Sequence, residues 1–325
     1  MYVQTQNPSR KIAAGIRTST LLSTEERKEG RMLQLQRAGD KPVLEPRKHV
    51  SWEKDTVFNA AAIYDRRLFH LLYRAVAHNP GDRNRSWIGH AWSKDGMHFE
   101  RHDEPVLSPN VVPEERQGVE DPRVVKIGST FYMCYTAYDL RRTQVALATS
   151  KDLIHWERQG IIISDMLFGN NKDASLFPGK IDGRYCLMHR PAPDIYLSFS
   201  EDLRSWTDHV CIMKPQFEWE AAKIGGGAQP IKTSQGWVLV YHGVDRKSIY
   251  RLGIALLDLV NPAKVLKRQP EFILQPEVGW EVAGDVKNVV FTCGAVLRKK
   301  ELWVYYGGAD SVIGLAKGNL DDFLD

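Results

Sequence analysis

Two acids stand side by side at Glu120 and Asp121, followed by Pro122 and Arg123, where the segment GVEDPRV opens an apolar, β-branched run. Adjacent carboxylates repel, which raises the pKa of one of them. A raised pKa suits a general acid at neutral pH. Pro122 fixes φ and removes a donor, which makes the turn rigid, and Arg123 is placed to orient one acid. A solvated acidic turn fits the same four residues, and the motif alone leaves that open. Four more polar clusters precede or open strand-like runs: FNAAAI (58–63), NKDASLFP (171–178), AAKIGGGAQP (221–230) and GDVKNVVF (284–291).

The elements that position these clusters repeat. IGHAWSKDGMHFE (88–100), VALATSKDLIHWE (145–157) and IYLSFSEDLRSWT (195–207) align without gaps, and LGIALLDLVNPAK (252–264) and IGLAKGNLDDFLD (313–325) are weaker copies. Their anchors at 93, 150, 200, 257 and 318 are spaced by 57, 50, 57 and 61 residues. That length suits four short antiparallel strands, and five such units predict a five-bladed β-propeller around a central channel. In a propeller the innermost strands line the channel, so the five strand-opening clusters converge on one pocket. The Ser-x-Asp turns of the repeats read as structural, since Ser and Asp side chains bond their own backbone there.

The remainder of the chain sets limits. The 325 residues are 43% hydrophobic in type, enough for a large core, and the formal charge of +4 does not suggest a nucleic-acid partner. Four cysteines (Cys134, Cys186, Cys211, Cys293) are far apart and read as reduced thiols. No stretch approaches the ~20 apolar residues of a membrane helix, and the start lacks an apolar secretory core. A cytoplasmic protein without membrane or nucleic-acid partners is expected. Residues 1–48 carry ten Lys/Arg against five Asp/Glu, with a capping-box pattern at Ser23 and Glu26 and stop signals at Gly39 and Pro42. They predict an N-terminal arm and helix, either solvated or docking a neighbouring subunit. Residues 49–325 form the predicted all-β propeller. HExxH, paired His/Cys spacings and the P-loop are missing, which predicts no metal, nucleotide or other cofactor.

From about Phe58 onward the motifs GVEDPRV, NKDASLFPGKIDGRYCLMHRP, AAKIGGGAQPIKTSQGWVLVYHGV, YRLGIALLDL and NVVFTCGAV…YYGGAD resemble glycoside hydrolase family 130, the β-mannoside phosphorylases and related β-mannosidases. The resemblance implies a five-bladed propeller, often oligomeric. It implies Asp121 as catalytic acid, acting directly or through a sugar hydroxyl, with Glu120 tuning it or touching sugar. It implies Lys172, Arg190 and His242 as a phosphate pocket. It implies Asn59, Arg74, Lys223 and Asp310 as sugar contacts, with Asp173 and Asp285 as further contacts. Arginine suits bidentate phosphate recognition, and lysine adds a point charge. An inverting hydrolase needs a second carboxylate to activate water, whereas phosphorolysis needs one acid facing cations. The cations favour phosphorolysis of β-mannosides by inorganic phosphate as co-substrate, giving α-mannose 1-phosphate. The alternatives are a β-mannosidase using Asp285, Glu281 or Asp310 as base, and a silent sugar-binding propeller.

Overall fold

A computed structural model describes residues 32–78, 85–163 and 169–325. The chain is all-β, with its strands in five antiparallel groups. The first is β2 (Thr56–Asp65), β3 (Leu68–Ala77), β4 (Arg85–Ser93) and β5 (Glu100–Arg101). The second is β6 (Gly118–Ile127), β7 (Thr130–Tyr138), β8 (Thr143–Ser150) and β9 (Trp156–Ile163). A single parallel pair, Ser86 with Gly118, joins these two. The third is β10 (Asn171–Leu176), β11 (Tyr185–Pro191), β12 (Ile195–Ser200) and β13 (Thr207–Met213). The fourth is β14 (Lys223–Gly226) and β15 (Ile231–Lys232), both paired with β16 (Trp237–Val244), then β17 (Tyr250–Leu257) and β18 (Val265–Arg268). The fifth is β19 (Val290–Arg298), β20 (Glu301–Gly308) and β21 (Val312–Asn319), completed by β1 (Gln36–Arg37) from the other end of the chain. The repeat anchors 93, 150, 200 and 257 end the third strand of their groups, and 318 falls one residue before the end of β21. The period found in the sequence is therefore the period of the sheets.

Each pair of consecutive groups shares a buried apolar cluster. Ala61 and Leu72 pack with Val119 and Val124, Val125 and Val145 with Leu176, Met188 with Leu239, and Val240 with Val290. The fifth group packs back on the first through Tyr305, Ile313, Val57 and Leu71. Strands alternate sides with period two, so a strand buried on both faces reads as a near-continuous apolar run, as β16 and β19 do.

The expected N-terminal helix begins at residues outside the described ones. From residue 32 the chain is extended and not helical. Leu33 and Leu35 are buried in the shared core of the last two groups, and Gln36 and Arg37 pair with Lys317 and Ala316. Tertiary burial of Leu33 and Leu35 overrides the helical propensity of this segment.

A second motif repeats that the sequence did not disclose. A buried glutamate ahead of the inner strand meets a tyrosine of the second strand and an arginine of the fourth. Glu53 binds Tyr73 and Arg101, joined by Arg47. Glu115 accepts from Tyr135 and from Arg158 at 2.9 Å. Glu220 accepts from Tyr241 at 3.1 Å and from Arg268. Glu281 accepts from Tyr306 at 2.7 Å and from Arg37 at 2.8 Å. Arg37 thus fills the fourth-strand place in the fifth group. The third group substitutes a chain without a carboxylate: His189 to Ser198 to His209, each link 2.7 Å.

Candidate active site

Three inner strands carry the same distortion at the same place. The register slips between Phe58 and Ala61 in β2, between Glu120 and Arg123 in β6, and between Lys172 and Ser175 in β10. At each slip one residue turns left-handed: Asn59 (φ 49°), Asp121 (φ 50°) and Asp173 (φ 55°). Asn and Asp tolerate that region better than other residues with a Cβ. A bulge re-aims its side chain and terminates regular pairing, which is why bulges recur beside active sites. The ladder places Arg74 opposite Phe58, Arg190 opposite Lys172 and His242 opposite Gly225.

These side chains meet in a cavity of about 170 Å³. Its walls include Asn59, Arg74, Asp121, Lys172, Asp173, Arg190, Lys223, His242 and Asp310, nine of the eleven expected site residues. Glu120 stands behind it, 2.7 Å from Arg74. Asp285 does not line it. Its side chain is 43% exposed and 4.0 Å from His78, because the turn before β19 carries it outward. Tyr250, Val286, Val289 and Phe291 complete the walls and were not anticipated. Phe291 ends the GDVKNVVF cluster and Tyr250 opens β17, so position at a strand opening was the available signal.

Asp121 is 3% exposed. It accepts from Asn59 at 2.9 Å and Arg74 at 3.3 Å, and Lys172 Nζ lies 3.5 Å away. Burial pushes this carboxyl up, but Lys172, Arg74, Arg123 and the Asn59 amide outweigh burial and hold it at about 2. The expected rise from its neighbour Glu120 is not what happens at Asp121. Arg74 and Lys172 bridge both acids, so cations from two other groups set the charge balance. Arg123 also acts differently from expectation. It donates to the carbonyls of Asp121 (3.1 Å), Gly226 (2.8 Å) and Gly227 (3.0 Å), and so fixes backbones and not the acid's carboxylate.

Asp173 faces the opposite company. Its carboxylate touches Arg190 Nε, and it lies 3.5 Å from Arg123 and 3.7 Å from His242 Nε2. Burial opposes ionisation, yet Arg190, His242, Arg123 and Lys172 hold it far below the usual carboxylate range. His242, itself buried, is driven down to about 3 and is neutral at physiological pH. Its ring stands 4.5 Å from that of Phe291 and stacks on Tyr250 at 6.1 Å. Lys223 lies over the Tyr250 ring at 5.3 Å. Burial lifts Asp310 to about 7, with Asp121 and Asp285 adding to the rise against Arg74 and Lys172. Glu281, considered above as a base, is fully buried in its cluster with Arg37 and Tyr306 and lies outside the cavity. The cavity and its immediate backing thus hold five cationic side chains (Arg74, Arg123, Lys172, Arg190, Lys223) against four carboxyls (Glu120, Asp121, Asp173, Asp310).

This geometry has relatives. A 1,2-β-oligomannan phosphorylase of Thermoanaerobacter sp. (strain X514) is 50% identical over 292 residues, covering 88% of this chain and 97% of that protein. A β-1,2-mannobiose phosphorylase of the same organism is 46% identical over 298 residues, with the same coverage of both chains. The solved β-1,2-mannobiose phosphorylase from Listeria innocua, in complex with β-1,2-mannobiose, superposes with a TM-score of 0.81 at 30% identity, covering 90% of this chain and 98% of that one. The family profile described as beta-1,4-mannooligosaccharide phosphorylase matches residues 34–325, so the likeness begins well before Phe58 and the chain belongs to glycoside hydrolase family 130.

Proposed function

We propose that this chain cleaves β-1,2-linked mannosides by inverting phosphorolysis, giving α-mannose 1-phosphate and a shortened acceptor. The β-1,2 linkage follows the two relatives of highest identity described above. The observation that carries the phosphorolytic reading is the Arg190 guanidinium. Its Nε is held by Asp173, while its terminal nitrogens have no partner among the described residues. Arg190 also lines the cavity. An arginine fork so presented suits a phosphate, and Lys223 and neutral His242 stand beside it.

The chemistry balances without a second carboxylate. A phosphate oxygen attacks the anomeric carbon as the glycosidic C–O bond breaks, which converts β to α. The proton carried by monohydrogen phosphate ends on the departing alcohol. Asp121 is the carboxylate through which that proton passes, directly or by way of a sugar hydroxyl. Bound phosphate draws on the same cations that hold Asp121 at about 2, which lets its pKa climb when both substrates are present. Asn59 and Arg74 fix its orientation, and Asp310 borders the sugar. Of the three bases a hydrolase could use, only Asp310 reaches the cavity. Its charged neighbours are Arg74, Asp121, Lys172 and Asp285, which places it on the acid's side and not beside Arg190. The five antiparallel groups, each packed on the next and the fifth on the first, read as blades of a five-bladed propeller with this cavity on its axis.

The test is to incubate the protein with β-1,2-mannobiose, with and without phosphate. Mannose 1-phosphate made only when phosphate is present supports the proposal. Free mannose at an equal rate without phosphate would make the protein a hydrolase.

A further inference from the structure

We propose that Asp173 is the positioning residue of the anion site, a buried counter-charge that aims Arg190 at phosphate and holds the His242 ring in one orientation, and not a sugar contact. The inference rests on the phosphorolytic reading and deepens it. Asp173 is 1% exposed, so it offers little surface to a sugar. Its left-handed backbone (φ 55°) turns the carboxylate away from the regular ladder and under the Arg190 side chain that crosses from β11. There it takes the Nε–H of Arg190, the one guanidinium donor that lies on the stem side of the fork. The pair of terminal nitrogens is left facing the cavity, the arrangement in which arginine binds an oxyanion with two parallel bonds.

The backing of this carboxylate is built for rigidity. Arg123 stands 3.5 Å behind Asp173 and is itself pinned to the carbonyls of Gly226 and Gly227 on β14 and just beyond it. His242 Nε2 approaches the same oxygen as Arg190, at 3.7 Å. Neutral His242 carries its hydrogen either on Nε2, toward Asp173, or on Nδ1, which is buried without a partner among the described residues, and the carboxylate selects the first tautomer. Gly225 makes the approach feasible. A Cβ there would stand 2.4 Å from His242 Cε1 and 2.7 Å from Asp173 Oδ2. Three elements from two sheet groups thus converge on one buried oxygen, and none of them needs a sugar to complete it.

The experiment is a double-mutant cycle on phosphate titrations with β-1,2-mannobiose, using Asp173→Asn, Arg190→Gln and the double variant. A lost charge-assisted bond corresponds to about a 10- to 100-fold change. Asp173→Asn is expected to raise KM for phosphate by that factor and to leave KM for mannobiose within about threefold. In the Arg190→Gln background the same substitution should add less than about threefold, because it acts through the residue already removed. If the two effects multiply in full, Asp173 does not act through Arg190 and the proposal is overturned. If Asp173→Asn raises KM for mannobiose and not for phosphate, Asp173 is a sugar contact and the proposal is again overturned. An unchanged phosphate KM in Arg190→Gln alone would instead overturn the phosphate reading beneath it. Should Asp173→Asn fail to fold, Gly225→Ala replaces it, displacing the His242–Asp173 contact without removing a charge, with the same phosphate-specific loss expected.

Discussion

Asp121 and Asp173 occupy the same slot in successive groups. Each sits at the bulge of its inner strand, each is left-handed, and each is almost wholly buried. Their surroundings differ. Asp121 opens onto the cavity between Asn59, Arg74 and Lys172, all of which it shares with ligand space. Asp173 is clamped between Arg190, Arg123 and His242, with Gly225 pressed against it. One backbone device serves two settings: a carboxylate open to the cavity, which under the proposal above exchanges a proton with bound sugar, and one enclosed by cations. What separates them is the set of neighbours supplied by other groups.

The comparison breaks first at Asp121. Asp121→Asn should lower kcat by about 10²–10⁴-fold, the usual worth of general acid catalysis, with KM for phosphate within a few-fold. Mannose 1-phosphate release under saturating phosphate checks this, and retention of more than about a tenth of the activity would transfer the role to Glu120 or Asp310.

One layer outward, the Glu–Tyr–Arg clusters of four groups contrast with the His189–Ser198–His209 chain of the third, which holds no carboxylate. Arg37→Ala strands Glu281 as a buried charge, and removing one partner of such a pair costs about 3–5 kcal/mol. Arg37 and Tyr306 oppose the burial of Glu281 and hold its pKa low, so the contribution is present at neutral pH and lost as the solution is acidified through that lowered value. His209→Ala removes a hydrogen bond to a hydroxyl and strands no carboxylate, and should cost only about 0.5–1.5 kcal/mol. Urea unfolding at pH 7 measures both, and equal losses would remove the distinction between the clusters.

Lys172→Ala sharpens the contrast from the other side. Lys172 leads the charges that depress Asp121. Its loss should move the Asp121 pKa upward from about 2, shifting the alkaline limb of the pH–rate profile, which reports loss of the protonated acid, to higher pH. It should lower kcat as well as weaken phosphate, because its ammonium lies 3.5 Å from the acid and its residue pairs with Arg190 across the ladder. A profile that does not move would detach Lys172 from Asp121.

The smallest expected effect concerns Asp310. Its folded-state pKa is raised to about 7, so its contribution to stability is complete below the unfolded carboxylate value and is lost as pH rises through 7. The wild type should therefore lose melting temperature between pH 5 and 8 relative to Asp310→Asn. Parallel curves would place Asp310 in ordinary solvent.

Much of this was legible in sequence because the repeat is phased by its turns. Ser93, Ser150 and Ser200 end third strands, and their hydroxyls and the following Asp95, Asp152 and Asp202 bond the turn backbone as expected. Once the phase is known, the strand openings follow, and with them Asn59, Asp121, Lys172 and Lys223. The charge state of Asp121 was not legible. Glu120 is its neighbour in sequence, whereas Arg74 and Lys172 arrive from other strands, and only the fold brings them within 4 Å. The role of Asp173 was hidden for the same reason, as were the buried clusters, whose three members come from loop, second strand and fourth strand. In the fifth group the arginine comes from the far end of the chain, separated from its glutamate by 244 positions.

The most direct test sets Asp121→Asn and Asp173→Asn side by side in one phosphate titration with β-1,2-mannobiose. The account predicts that the first variant loses kcat and keeps its phosphate KM, while the second keeps most of its kcat and needs about 10- to 100-fold more phosphate. If both variants lose the same parameter to the same degree, the two carboxylates do one job, and the account is contradicted.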